Sequence, residues 1–195
     1  MPKKAIIFHG TGSSPQDFWL PWLAAELEKN GIKVWAPDLP QKDVPDLSVW
    51  MPWVLERAKF DSETIIIGHS AGAPLILSLL QKISVPVEKA ILVAGFITPI
   101  PNMPSDHPML LQSPDWEKMR RQCRDFVFIH SDNDPWSCNA VQGEAMRRKL
   151  DGTLITMTGH GHFGSNIFKE PYPAFPMLRD VCLSDTIKPQ IGEKL

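Results

Sequence analysis

The chain has 195 residues, with 20 basic and 22 acidic side chains and a formal net charge of −2. Both signs are spread along the sequence, which leaves no electrostatic footprint for nucleic acid, and no Gly/Ser-rich or charged linker divides residues 1–195, so a single domain with a substantial core is expected. Three cysteines without paired spacing (Cys123, Cys138, Cys182) suit reduced thiols, and the first apolar run, Ala5–Phe8, is too short for a signal peptide or a membrane span; together these point to a cytoplasmic protein.

Ala5–Phe8 reads as a buried strand that ends in the glycine-containing loop His9-Gly10-Thr11-Gly12. A helix is predicted over Trp19–Asn30, with Leu20, Leu23, Ala24 and Leu27 on one face and Asn30-Gly31 as its stop. A strand at Ile32–Ala36 gives way to a proline-broken loop, then to a helix carrying Trp50, Trp53, Val54 and Arg57, with Ser48 as its expected N-cap. Thr64–Ile67 is the next strand and Leu75–Ile83 the next helix, followed by a strand near Lys89–Ala94. Five prolines between Gly95 and Asp115 predict a loop or minimal lid, and Trp116–Arg121 a short helix. Asp125–His130 is a strand, a helix expected to be capped by Ser137 runs to Leu150, and Thr153–Thr158 is the last strand. A closing helix falls within Tyr172–Leu183, and residues 185–195 read as a frayed tail. Strands alternating with helices over short loops argue for a parallel sheet covered on both faces, an α/β layered fold.

The bend between the third strand and its helix is Gly68-His69-Ser70-Ala71-Gly72, a G-x-S-x-G elbow. It would present the Ser70 hydroxyl at the top of the sheet, with glycines where strand and helix approach most closely. A serine nucleophile of this kind needs an acid and then a histidine, each on a later loop after a strand. Asp132 and Asp134 both follow the strand at Asp125–His130, and His160 and His162 both follow the last strand. The oxyanion hole needs two backbone N–H donors; the residue after the serine, Ala71, and the Thr11 amide of the first loop are the candidates. His160-Gly161-His162 has no further ligand cluster in the sequence, so no metal or other cofactor is expected.

These landmarks resemble the α/β-hydrolase superfamily, and within it the small YdeN-like branch that includes the retinoblastoma-binding serine hydrolase. The resemblance rests on His9-Gly10 with Ser14-Pro15 and Trp19, Ala36-Pro37-Asp38-Leu39-Pro40, the elbow, Ser131 with Asp134-Pro135, and Gly161-His162-Phe163. It implies a three-layer α/β-hydrolase fold with a mostly parallel sheet of about six strands and a minimal lid. It also selects Asp134 and His162 as the partners of Ser70. No Leu-x-Cys-x-Glu sequence occurs in the chain, so a retinoblastoma partner is not carried over.

The expected activity is hydrolysis of a small carboxylic ester, or less readily an amide, through an acyl-enzyme on Ser70. Trp19, Phe96, Ile97, Trp136 and Phe163 are the candidate pocket wall, and their apolar character suits a small-molecule ester. A fold kept for binding or regulation, and a lyase or acyl transferase built on the same three residues, are the alternatives.

Overall fold

Apolar runs rich in β-branched residues alternate with segments of helical period, and in the computed structural model, which describes residues 3–185, each becomes a strand or a helix. In chain order these are β1 (Lys4–Phe8), α1 (Leu20–Lys29), β2 (Lys33–Trp35), α2 (Leu47–Arg57), β3 (Thr64–His69) and α3 (Gly72–Leu80). They continue with β4 (Val87–Val93), α4 (Trp116–Arg121), β5 (Cys123–Ser131), α5 (Ala140–Leu150), β6 (Thr153–Met157) and α6 (Pro176–Leu183). The expected tail lies, beyond Asp185, outside the described residues.

The strands form one sheet in the order β2-β1-β3-β4-β5-β6, and every pairing is parallel. The chain steps outward from β1 to β2, then crosses back over β1 to β3 and continues in that direction. Right-handed crossovers therefore put α1 on one face and α2 to α5 on the other. The packing agrees: α2 lies against α3, α3 against α4 and α4 against α5, while α6 packs beside α1. Covered on both faces, β3 is buried at all six positions, Thr64–His69, whereas the edge strands β2 and β6 are only partly buried. This is the α/β-hydrolase layering, with the sheet wholly parallel. The order reverses between β1 and β3, so the crevice beyond their carboxyl ends is the switch point where such sheets take ligands.

Two helix starts differ from expectation. The cap of α2 is Asp46, whose Oδ1 accepts the Ser48 N–H at 2.7 Å, and that of α5 is Asn139, whose side chain accepts the Val141 N–H at 3.0 Å. Ser137 has φ of 62°, a left-handed conformation, whereas a cap residue is normally in the extended region. On the face of α1 and α6, Lys89 of β4 is fully buried and satisfied, its Nζ donating to Val181 O (2.8 Å), Ser184 O (2.6 Å) and Ser184 Oγ (3.1 Å). A cation at the carboxyl end of α6 meets carbonyls that have no intrahelical partner, and it ties that helix to the sheet.

Candidate active site

The elbow follows from close contact between β3 and α3. A Cβ added to Gly68 would lie 2.5 Å from Gly72 O, and one added to Gly72 would lie 2.7 Å from Phe8 O. Between them Ser70 takes φ of 51°, a conformation that costs a non-glycine residue of order 1–3 kcal/mol. Its N–H donates to Val93 O at 2.9 Å and its carbonyl accepts from Ala73 N at 3.0 Å, so the turn is held from both sides.

The loop after β1 lies against this serine. A Cβ on Gly10 would come within 2.9 Å of Ser70 Cβ. His9 is buried between two main-chain groups: its Nε2 accepts from Leu39 N at 2.9 Å, so its Nδ1 carries the hydrogen and donates to Gly10 O at 2.8 Å. Burial holds this imidazole below its ordinary pKa, consistent with the neutral form. The contact fixes the plane of the peptide that carries the Thr11 N–H. Among the described residues, neither that amide nor the Ala71 amide has a hydrogen-bond acceptor.

The loops after β5 and β6 are joined residue by residue. Asp132 Oδ1 accepts from Gly159 N (2.9 Å), Ser131 Oγ from His160 N (3.0 Å), Asn133 Oδ1 from Gly161 N (2.8 Å), and Asp134 Oδ2 pairs with His162 Nδ1 at 2.7 Å. Four consecutive side chains thus hold four consecutive residues. Asp134 and His162 are buried, and the other oxygen of Asp134 accepts the Trp136 N–H at 2.8 Å. Asp132 is exposed, and His160 is engaged elsewhere, its Nδ1 2.6 Å from the Tyr172 hydroxyl.

The histidine loop is held from three further directions. Glu170 Oε2 accepts the His162 N–H at 2.8 Å, Trp19 Nε1 donates to Phe163 O at 3.0 Å, and His69 Nε2 donates to His162 O at 2.8 Å. Burial, reinforced by the nearby His162 ring, depresses the pKa of His69 to about 3, so it is neutral with its hydrogen on Nε2.

Ser70 and His162 open onto one cavity of about 550 Å³, mainly apolar. Among the described residues no hydrogen bond joins the two side chains. The wall takes Phe96 and Trp136 together with Ile100, Met103 and Met109 from the proline-broken segment and Val44 and Ile167 at its rim. Trp19, Ile97 and Phe163 lie off this wall. Trp19 and Phe163 are fully buried, Trp19 packing edge-on against His69 and Phe175 and Phe163 stacking on Phe175, and the Ile97 N–H is tied to Gln142 Oε1. Aromatic residues beside strand ends pack beneath the loops here, where burial supplies roughly 1.5–3 kcal/mol each.

Of the charged residues lining this cavity, Asp43 is the one carboxylate, and no Lys or Arg is present among the described residues. Cys138 also lines it; its thiol, a carboxylate oxygen of Asp134 and a ring nitrogen of His162 lie within 4.8 Å of one another, the one trio among the described residues able to hold a metal. A second, more open depression of about 580 Å³ runs beside Phe18, Glu170 and Tyr172 and contains neither Ser70 nor His162.

The sequence reading missed His69, Glu170, Asn133 and Asp43. His69 and Asn133 have a common signal, a polar side chain next to Ser70 or Asp134, whereas Glu170 stands 8 residues beyond His162. Asp43 comes from the loop before α2, with nothing in its neighbourhood to mark it.

A family model described as serine hydrolase matches residues 5–179. Serine hydrolase RBBP9 of Rattus norvegicus is 30% identical over 173 residues, which cover 87% of this chain and 91% of that protein. The crystal structure of the ydeN gene product from Bacillus subtilis matches with a TM-score of 0.86 at 25% identity, covering 94% of this chain and 98% of that one. Est1E from Butyrivibrio proteoclasticus has a TM-score of 0.66 at 13% identity, over 93% and 85% of the two chains, and is similar in fold.

Proposed function

The chain belongs to the serine hydrolase family, among the α/β-hydrolases similar to YdeN and RBBP9, and from that premise we propose that it cleaves a small, uncharged carboxylic ester through an acyl-enzyme on Ser70. The observation that carries this reading is the buried Asp134–His162 pair, 2.7 Å apart, opening onto the same cavity as a serine on a strained turn.

In this mechanism His162 Nε2 takes the Ser70 proton as Oγ attacks the ester carbonyl. Asp134 holds the hydrogen on Nδ1, keeping Nε2 free to accept, and stabilises the imidazolium that forms. The developing oxyanion takes the Ala71 N–H, at the amino end of α3, and the Thr11 N–H, whose peptide His9 orients. The imidazolium then returns its proton to the departing alcohol, and a water activated by His162 releases the acid. The apolar wall and its lack of Lys or Arg favour a neutral acyl group over an anionic one. The three cysteines, all buried and outside any disulfide among the described residues, are compatible with a reducing cytoplasm, and among the described residues no helix is long and apolar enough to cross a membrane.

A fluorophosphonate probe tests the reading directly. It labels Ser70 of the folded protein, and Ser70→Ala abolishes the labelling and lowers ester hydrolysis by about 10⁵- to 10⁶-fold. Absence of labelling on the folded chain rejects the mechanism. A series of p-nitrophenyl esters of increasing acyl length, with a peptide as control, then sizes the pocket: short and aromatic acyl groups are preferred, and a rising rate toward long chains contradicts a cavity of this volume.

A further inference from the structure

The hydrolytic cycle has no use for Cys138. It is buried on the cavity wall, four residues after Asp134, and its sulfur lies within 4.8 Å of both a carboxylate oxygen of Asp134 and a ring nitrogen of His162. Among the described residues only its carbonyl is hydrogen-bonded, accepting from His130 Nδ1 at 2.8 Å. The sulfur is therefore free to take another partner. The groups around it are held: His130 holds the Cys138 carbonyl, Trp136 N–H holds the Asp134 carboxylate, and Glu170 and His69 hold the His162 main chain.

We propose that Asp134, Cys138 and His162 form an inhibitory site for a zinc ion, with a fourth position open to the cavity for water. One thiolate, one imidazole and one carboxylate suit zinc better than magnesium or calcium, which prefer all-oxygen shells. Donors around tetrahedral zinc lie roughly 3.5 Å apart, given bond lengths of ~2.0–2.3 Å, so the trio needs only a small inward rotation. The two negative donors balance the ion's charge, which makes its burial tolerable. Binding releases the thiol proton to solvent. Because zinc takes the thiolate and not the thiol, it binds more tightly as the pH rises.

The consequence for turnover rests on the reading of His162 as the base. Zinc on Nδ1 displaces the Asp134 contact and leaves the ring hydrogen on Nε2, where the lone pair must be free to accept the Ser70 proton. Zinc on Nε2 occupies that lone pair itself. By either nitrogen the base is silenced without any change in the cavity's shape.

Cadmium, whose thiolate complexes absorb in the near ultraviolet, tests the site apart from activity. Titration of the full chain develops this band at one ion per chain, zinc competes it away, and zinc lowers ester hydrolysis at least about tenfold, reversibly with chelator. In Cys138→Ala the band is absent, and the ratio of rates with and without zinc stays within about twofold, the scale of a minor surface effect. Should that variant fail to fold, the double variant Cys123→Ser/Cys182→Ser, which keeps only the thiol of Cys138, must retain the band. No band in the wild type, a band that survives Cys138→Ala, or one lost from the double variant overturns the proposal, as does zinc inhibition that persists in Cys138→Ala. Fluorophosphonate labelling of the metal-free protein is scored separately: a band without labelling keeps the cation site and rejects the hydrolytic reading, and labelling without a band does the reverse.

Discussion

His69 Nε2 donates to the main-chain carbonyl of His162 at 2.8 Å, so the residue before the serine supports the loop that carries the proposed base. The ring is buried, neutral and packed against His162 with centroids 5.0 Å apart. His69→Phe keeps a planar aromatic ring but removes its donor and leaves a buried carbonyl unpaired, a loss of about 1–3 kcal/mol of stability. Hydrolysis falls about tenfold, since one lost positioning bond of ~1.4 kcal/mol corresponds to that factor. His69→Gln, which can still donate, recovers part of both. Thermal melts and kcat/KM measured on the two variants check this; equal loss in both means that the hydrogen bond is not what matters.

The two aspartates after β5 separate cleanly. Asp134 is buried with both oxygens engaged, one by His162, whereas Asp132 is exposed and holds only Gly159 N. Asp134→Asn is expected to lower kcat about 10⁴-fold by stabilising the wrong imidazole tautomer. Asp132→Asn changes it by about twofold, as an exposed substitution within ~0.5 kcal/mol does. Steady-state kinetics of the pair decide the assignment: a larger loss in Asp132→Asn reverses it.

That pairing also marks what a sequence can disclose. The strand and helix order, the elbow and the α/β layering were all legible, because they are written in local periodicity, glycine placement and short loops. The choice between Asp132 and Asp134 was not a local matter. Both stand on one turn, and their difference lies in which residue of a loop 28 positions away each one meets. The pocket wall shows the same limit from the other side. Trp19 and Phe163 sit beside the correct strand ends but turn inward, Trp19 edge-on to His69 and Phe163 stacked on Phe175, while Val44 and Ile167, two exposed apolar residues with no pattern around them, form the rim. The expected cap of α5 failed for a backbone reason, since Ser137 is a suitable residue type in an unsuitable conformation.

Three buried histidines make the fold acid-sensitive above the carboxylate range. Burial lowers the pKa of His9, His69 and His130, that of His69 to about 3. Each takes up its proton at a lower pH in the folded chain than in the unfolded chain, which does so below pH ~6.5, so stability is full above that value and declines as the pH falls toward the folded pKa. The decline is about 1.4 kcal/mol per pH unit for each group that remains neutral, or about 2 kcal/mol for His69 alone between pH 6.5 and 5. Urea unfolding at pH 7.5 and pH 5 measures it. A flat profile over that interval means that these rings protonate in place.

Two glycines on either side of the site distinguish packing from backbone strain. A methyl group on Gly68 meets the Gly72 carbonyl at 2.5 Å for oxygen and 2.6 Å for carbon, main-chain atoms of the first turn of α3 that cannot retreat without turning Ser70. Gly159 has φ of +79° and open space around the added atom. Gly68→Ala is therefore expected to cost about 3 kcal/mol, the upper end of ordinary overpacking, and to slow fluorophosphonate labelling in whatever fraction stays folded. Gly159→Ala costs about 1 kcal/mol, from the left-handed backbone alone, and leaves labelling of Ser70 unchanged because its N–H still reaches Asp132. Denaturation midpoints and labelling rates measured together separate the two effects. If both substitutions cost the same and neither slows labelling, the strand-to-helix contact is looser than its distances imply, and the strained serine must be held by its bonds to Val93 and Ala73 instead.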